Sequence, residues 1–94
     1  MSWINLGEVH YTVHRSAGAA EADTTIAQLR PLLTLDAATP ERVMAAARIK
    51  AVHPLAYGDA SAAATAAAHD AVLLTGDREL TSRSVGCRVE DLRR

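Results

Sequence analysis

Between Ala60 and Ala68 the chain places seven alanines in nine residues, and this run limits the fold more than any other feature. Alanine is the strongest helix former, yet it carries one methyl group. An element built from it buries little area and gains instead by letting a neighbour approach closely. The pattern is general: twenty of the 94 residues are alanine, with one tryptophan, two tyrosines and no phenylalanine. A chain of this size buries about 60–65% of its unfolded surface, and here that core must be thin. Sandwiches and barrels, which need branched and aromatic side chains in their strands, are excluded in favour of helix-rich packing.

Local signals set the order of elements. The apolar positions from Ile4 to about Arg15 predict a helix capped by Ser2 or Asn5 and stopped at Gly18. A second helix is expected over Ala19 to Arg30, with Ala22, Ile26 and Leu29 on one face and Pro31 ending it. Leu32 to Asp36, an apolar stretch between breakers, reads as a buried strand. Thr39-Pro40-Glu41 then starts a helix that runs to about His53, before Pro54, and Tyr57 opens another that continues to His69. Ala71 to Thr75 is the clearest strand, cut by Gly76-Asp77, and Ser84 to Val89 predicts one more, with Cys87 and Val89 on one face. Helices alternating with short apolar strands imply an α/β layer structure.

Ten basic residues face eleven acidic ones, a formal charge of -1. The balance holds in both halves: five basic and five acidic to Lys50, five and six beyond it. Bulk attraction to nucleic acid or to an anionic membrane is excluded as an organising force, which leaves room only for a local site. Cys87 is the single cysteine and permits no internal disulfide, in keeping with a reducing compartment. No apolar run is long enough to span a bilayer, and the opening MSWINLGEVH lacks a basic leader with an extended apolar core, so a cytoplasmic location is expected.

Three acids interrupt apolar surroundings. Asp77 follows the Val72 to Thr75 strand through Gly76, at the carboxyl end of a strand, where ligands collect in open α/β sheets; Glu79 adds a second carboxylate within a turn. Such a pair suits a hard metal or a general base, and equally a solvated Asx-type turn. Asp59 opens the alanine-rich helix, and Glu8 lies three residues after Asn5, a spacing that puts both on one helical face or forms a capping box. His10 and His14 share a face four residues apart, but no third histidine or nearby cysteine completes a transition-metal pattern, and His53 and His69 suit helix ends. Arg78, Arg83, Arg88, Arg93 and Arg94 crowd the last seventeen residues, interleaved with acids, as RNA phosphate contacts or as a solvated tail. Trp3 and Tyr57 are the candidates for stacking on a base.

Taken in order, these blocks resemble the PIN-domain ribonucleases, and within them the toxin component of VapC-like toxin–antitoxin modules. Ile4-Asn5-Leu6-Gly7-Glu8-Val9-His10-Tyr11 is similar to the family's helix with an asparagine and a catalytic glutamate. Pro54-Leu55-Ala56-Tyr57-Gly58-Asp59-Ala60 is similar to its proline-leucine-serine-tyrosine-alanine-aspartate-alanine element, with Ala56 and Gly58 as departures. Leu73-Leu74-Thr75-Gly76-Asp77-Arg78-Glu79-Leu80 closely resembles its threonine-glycine-aspartate block. The resemblance covers essentially the whole chain, so residues 1–94 read as one PIN-like domain. It implies a parallel sheet between helices and an acidic pocket in which Glu8, Asp59 and Asp77 hold magnesium or manganese and cleave RNA. Asn5 and Thr75 would orient water or carboxylate there, Glu79 would be an outer acid, and a cognate antitoxin would cover the groove of the first two helices.

The family's fourth carboxylate, in an aspartate-threonine-serine type first strand, has no counterpart ahead of Glu8, nor has most of the second strand. The expectation is therefore a PIN-like domain truncated at its N-terminal side, with a three-stranded remnant, exposed sheet edges that favour a homo-oligomer, and weak or absent cleavage. Three alternatives stay open. The start site is misassigned, an acid comes from a second subunit, or the chain is a non-catalytic remnant that serves oligomerisation or antitoxin binding.

Overall fold

Ser2 starts the first helix, α1 (Trp3–Ala17), by accepting the backbone N–H of Asn5 on its hydroxyl at 3.1 Å. That satisfies one of the helix's open N-terminal donors. The computed structural model describes residues 1–75 and 86–91, and they form two compact units, Met1–Ala38 and Thr39–Arg94.

In the first unit α1 ends at Gly18, whose φ of 94° is open to glycine and strained for other residues. The Gly18 N–H closes on the His14 carbonyl at 2.9 Å, and its carbonyl accepts the Ala22 N–H at 3.1 Å. One residue thus ends α1 and begins α2 (Ala19–Leu29). The two helices pack against each other, with Leu6 of α1 and Ala22 of α2 fully buried. Thr24 and Thr25, poor interior helix formers, turn their hydroxyls back onto the carbonyls of Ala20 and Glu21 at 3.0 and 2.9 Å.

Past α2 the structure departs from the sequence expectation. Leu32 belongs to a 3₁₀ turn, Arg30–Leu32, and is 79% exposed. The expected strand over Leu32 to Asp36 reduces to a single parallel bridge, Ser2 to Asp36. Asp36 donates its N–H to Met1 at 2.8 Å and accepts that of Trp3 at 3.0 Å. The cause is pairing. A strand needs a partner along its length, and the partner here turns into α1 at Trp3, while Pro31 winds the other end into the 3₁₀ turn.

In the second unit Thr39 caps α3 (Pro40–Val52), accepting the Arg42 N–H at 3.2 Å, with Pro40 at the first helical position. His53 closes the helix, its N–H on the Ile49 carbonyl at 2.9 Å. Lys50 reaches across the turn to the Leu55 carbonyl at 2.8 Å. The alanine run forms α4 (Tyr57–Ala68), anchored at its start by the Tyr57 hydroxyl, which donates to the Val43 carbonyl at 3.1 Å. Ala46, Ala60 and Ala64 bring α3 and α4 together through methyl groups, beside Ala45 and Ile49. His69 and Asp70 end α4, Asp70 at a φ of 48°, and the Ala71 N–H returns to the Ala66 carbonyl at 2.8 Å.

Strands β1 (Val72–Thr75) and β2 (Arg88–Asp91) pair in parallel, Leu73 opposite Val89 and Thr75 opposite Asp91. Leu73 of β1, Val89 of β2 and Cys87, two residues ahead of Val89, pack with Ile49 against buried Leu55 and Ala63, as the alternation predicts. Of the strand expected over Ser84 to Val89, Ser84 and Val85 lie outside the described residues, and β2 starts at Arg88, after Gly86 bends the backbone at a φ of 84°. Among the described residues the sheet has two strands, not the three expected. Helices with a small parallel sheet make this an α/β fold. No helix among the described residues is long and apolar enough to cross a membrane.

This packing yields two expected outcomes. Ala60→Leu inserts three carbons where α3 and α4 touch and will lower stability by about 1–3 kcal/mol, whereas Ala67→Leu, on an exposed position of the same helix, will change it by about 0.5 kcal/mol at most; urea denaturation measures both. Burial pushes the Cys87 thiol above its ordinary pKa. The folded chain therefore keeps that proton to higher pH than the unfolded one, and stability will decline as pH rises past about 8.5. Urea midpoints of wild type and Cys87→Ala across that range report the effect, since the variant will show a flatter decline.

Candidate functional site

The face of α1 that carries Glu8 is built by side chains one turn apart. The Ser2 hydroxyl bonds the Asn5 side-chain oxygen, and the Asn5 amide donates to Glu8 Oε1 at 3.0 Å. The amide is thereby oriented from one side by the cap and holds the carboxylate from the other. Spacing 2, 5, 8 makes this possible, because residues three apart are neighbours on a helix. The glutamate spends one oxygen on Asn5, and Oε2 has no partner among the described residues. Met1, Asn5, Glu8, Val9, Thr12 and Val13 line a shallow concavity of about 400 Å³. A half-committed carboxylate with an apolar floor is a hard oxygen donor, suited to a divalent cation or to a water proton.

The other predicted site residues lie in the second unit. Asp59 stands in the first turn of α4, half-buried, where the helix dipole favours an anion. Thr75 closes β1, in register with Asp91. Asp77 and Glu79 lie outside the described residues. Among the described residues Asn5 and Glu8 are the predicted site residues seen in contact, and no group of three His, Cys, Asp or Glu side chains with metal-binding geometry occurs there. The carboxylates in question are oxygen donors of the kind magnesium and manganese take, so the chemistry of the donor set fits such a cation.

Several side chains take roles that spacing did not reveal. His10 Nε2 meets Asp23 Oδ1 at 2.9 Å, joining α1 to α2, and its ring stands edge-on to His14 at 5.8 Å. Thirteen residues separate that pair, so no local period signals it. Tyr57, a candidate for base stacking, commits its hydroxyl to α3. Arg88, a candidate phosphate contact, bonds the Asp70 carbonyl at 2.5 Å and its carboxylate at 3.5 Å. Arg78, Arg83, Arg93 and Arg94 lie outside the described residues. Ser61 and Thr65 bury hydroxyls with no hydrogen-bond partner among the described residues, but they sit about 200° and 240° around α4 from Asp59 and add no ligand to its face.

Asn5 and Glu8 should be energetically coupled. In a double-mutant cycle of Asn5→Ala and Glu8→Ala, followed by urea denaturation, the expected coupling is about 0.5–1 kcal/mol; strictly additive single substitutions would show that the contact does not order the carboxylate.

Comparison with known proteins follows the same residues. No curated protein and no solved structure matches the chain. The family model for the PIN domain matches residues 1–85, a span that takes in the Asn5–Glu8 pair, the Asp59 turn of α4, β1 and the Gly76-Asp77 step. With that match running through both units, the chain belongs to the PIN domain family, whose function is of nuclease type.

Proposed function

We propose that the chain is a metal-dependent ribonuclease domain, the toxin component of a toxin–antitoxin pair, in which Glu8, Asp59 and Asp77 are the carboxylates that hold magnesium or manganese. The observation that carries this reading is the relay from Ser2 through Asn5 to Glu8. Residues 1–94 are read as one PIN-like domain, since the family match crosses from one unit into the other.

A bound divalent cation supplies charge to stabilise the leaving oxygen and acidifies a water near it. The chain's own residues supply the rest. Asn5 fixes the rotamer of Glu8, so that one oxygen faces outward without entropic cost at the moment of binding. Asp59 brings a second carboxylate on the first turn of a rigid helix, and Asp77 a third after β1, with Thr75 and Glu79 in support. A cognate antitoxin and a second copy of the chain are the proposed protein partners. The exposed apolar side chains Leu32 and Val52 are surfaces such partners would cover.

Two measurements on the purified chain test this reading. In thermal melts, millimolar magnesium or manganese should stabilise the wild type, as any ligand of the folded state does, and the shift should vanish in Glu8→Gln or Asp77→Asn. In parallel, single-stranded RNA should be cut only weakly with magnesium, because the family's fourth carboxylate has no counterpart ahead of Glu8, and spared with chelator, and Asp59→Asn or Asp77→Asn should remove the residual cleavage. Cleavage that survives chelator, or a wild type with neither a cation-dependent shift nor cleavage, would overturn the proposal in favour of a non-catalytic binding module.

A further inference from the structure

The chain has one tryptophan and no phenylalanine, so Trp3 is its largest apolar side chain. In a core built of alanine methyl groups, that ring has more area to contribute than any other residue. It is nevertheless 42% exposed, in the first turn of α1. Its position is fixed from behind by its backbone N–H on the Asp36 carbonyl at 3.0 Å. Above the ring lies the guanidinium of Arg30, with Cζ 5.1 Å from the ring centroid, within the range of a cation–π contact. Arg30 opens the 3₁₀ turn, and Pro31 stiffens the backbone behind it.

Arg30 is itself exposed, and no carboxylate pairs with it among the described residues. A planar cation lying over an indole keeps its N–H edge for another acceptor and its outer face for another flat group. One turn along α1 from Trp3 the side-chain surface stops. A Cβ added at Gly7 would meet nothing within 4 Å, so a chain lying beside the indole can approach the helix backbone there. Bases stack on aromatic rings and on guanidinium planes, and Arg matches phosphate geometry through its N–H fork. The balanced charge of the chain, -1 overall, means that a nucleic acid held here is held by these local contacts and not by a basic field.

We infer that Trp3 and Arg30 form a platform on which one unpaired base of a single-stranded RNA stacks, with the adjoining phosphate taken by the Arg30 N–H edge. The inference rests on the ribonuclease reading for its choice of RNA, and it adds a substrate-positioning pair to that site. Trp3 and Glu8 lie on the same helix, separated by about 7.5 Å of axial rise. Around the helix the two are about 140° apart, with the bare Gly7 between them, so the platform holds the strand away from the acidic face and the strand crosses α1 at Gly7 to reach Glu8. A duplex, whose bases are already stacked, has no free face to offer.

Because Trp3 is the sole tryptophan, its fluorescence reports directly on whether a base arrives. The measurement is made in chelator, so that no cleavage occurs, with a short single-stranded RNA, the same sequence as a duplex, and an abasic strand of equal length and charge. Saturable quenching by the single strand is expected, with little from the other two. Anisotropy of the labelled single strand should show affinity falling roughly 5- to 150-fold in Trp3→Ala, the range set by loss of one base stack. Trp3→Phe should restore most of it, and Arg30→Lys should fall between wild type and Arg30→Gln. Circular dichroism checks that each variant keeps its helices, and Trp3→Phe carries the test if Trp3→Ala does not fold. Equal quenching by the abasic strand, RNA binding by anisotropy with no change in Trp3 emission, or no binding at all would each overturn the platform. If quenching is seen but magnesium never yields cleavage, the platform stands and the ribonuclease reading falls.

Discussion

The contact between α3 and α4 is the constraint on which the second unit depends. Ala46, Ala60 and Ala64 replace the usual interlocking of large side chains with methyl groups against backbone, so dispersion over a close approach does what area burial does elsewhere. Such an interface is intolerant of added volume and weak in absolute terms. What surrounds it makes up the difference: the Tyr57 hydroxyl ties α4 to α3, Lys50 caps the connecting turn, and Leu55 gives the sheet one large side chain to close on. All three lie between Lys50 and Tyr57, so the connection between the helices carries much of the order that a larger core would supply.

How far this fold can be read from sequence depends on how local its causes are. Thr39-Pro40 and Gly18 are punctuation whose effect is complete within a turn, and α3 and the end of α1 fall where those residues predict. The alternation that puts Leu73, Cys87 and Val89 on one face is equally local. The strand expected over Leu32 to Asp36 fails for the complementary reason. Its apolar run satisfies the composition of a strand, but strands are made by partners, and the pairing formed here is a single bridge from Asp36 to Ser2. Apolar sequence without a ladder leaves Leu32 in solvent.

The candidate site divides along the same line. Asn5 and Glu8 were legible as a pair because three residues on a helix is a contact, but the capping box that this spacing also allowed is not formed: Ser2 is the cap, Asn5 lies inside α1, and Ser2 reaches the carboxylate through the Asn5 amide. Asp59 and Asp77 were legible only as acids in unusual places, and their grouping with Glu8 came from the order of three motifs, which the family match over residues 1–85 supports at the level of the PIN domain. His10 with Asp23 and Trp3 with Arg30 were not legible at all. Each pair joins α1 to a residue in or beyond α2, at a separation no periodicity encodes.

The distribution of charge explains why such pairs matter here. With acids and bases balanced in each half of the chain, no long-range field steers a ligand, and screening over about 8 Å at physiological salt would remove most of what remained. Recognition must then rest on groups whose local bonding is incomplete. Among the described residues of the first unit, Glu8 Oε2 lacks a donor and the Arg30 N–H edge lacks a carboxylate. One is a hard anion oriented by an amide, the other a flat cation oriented by an indole, and both are fixed near the start of one short hairpin of helices. In the proposed reading such a surface takes a metal ion at Glu8 and a phosphate-bearing strand at Arg30, the pair of ligands that phosphodiester chemistry requires.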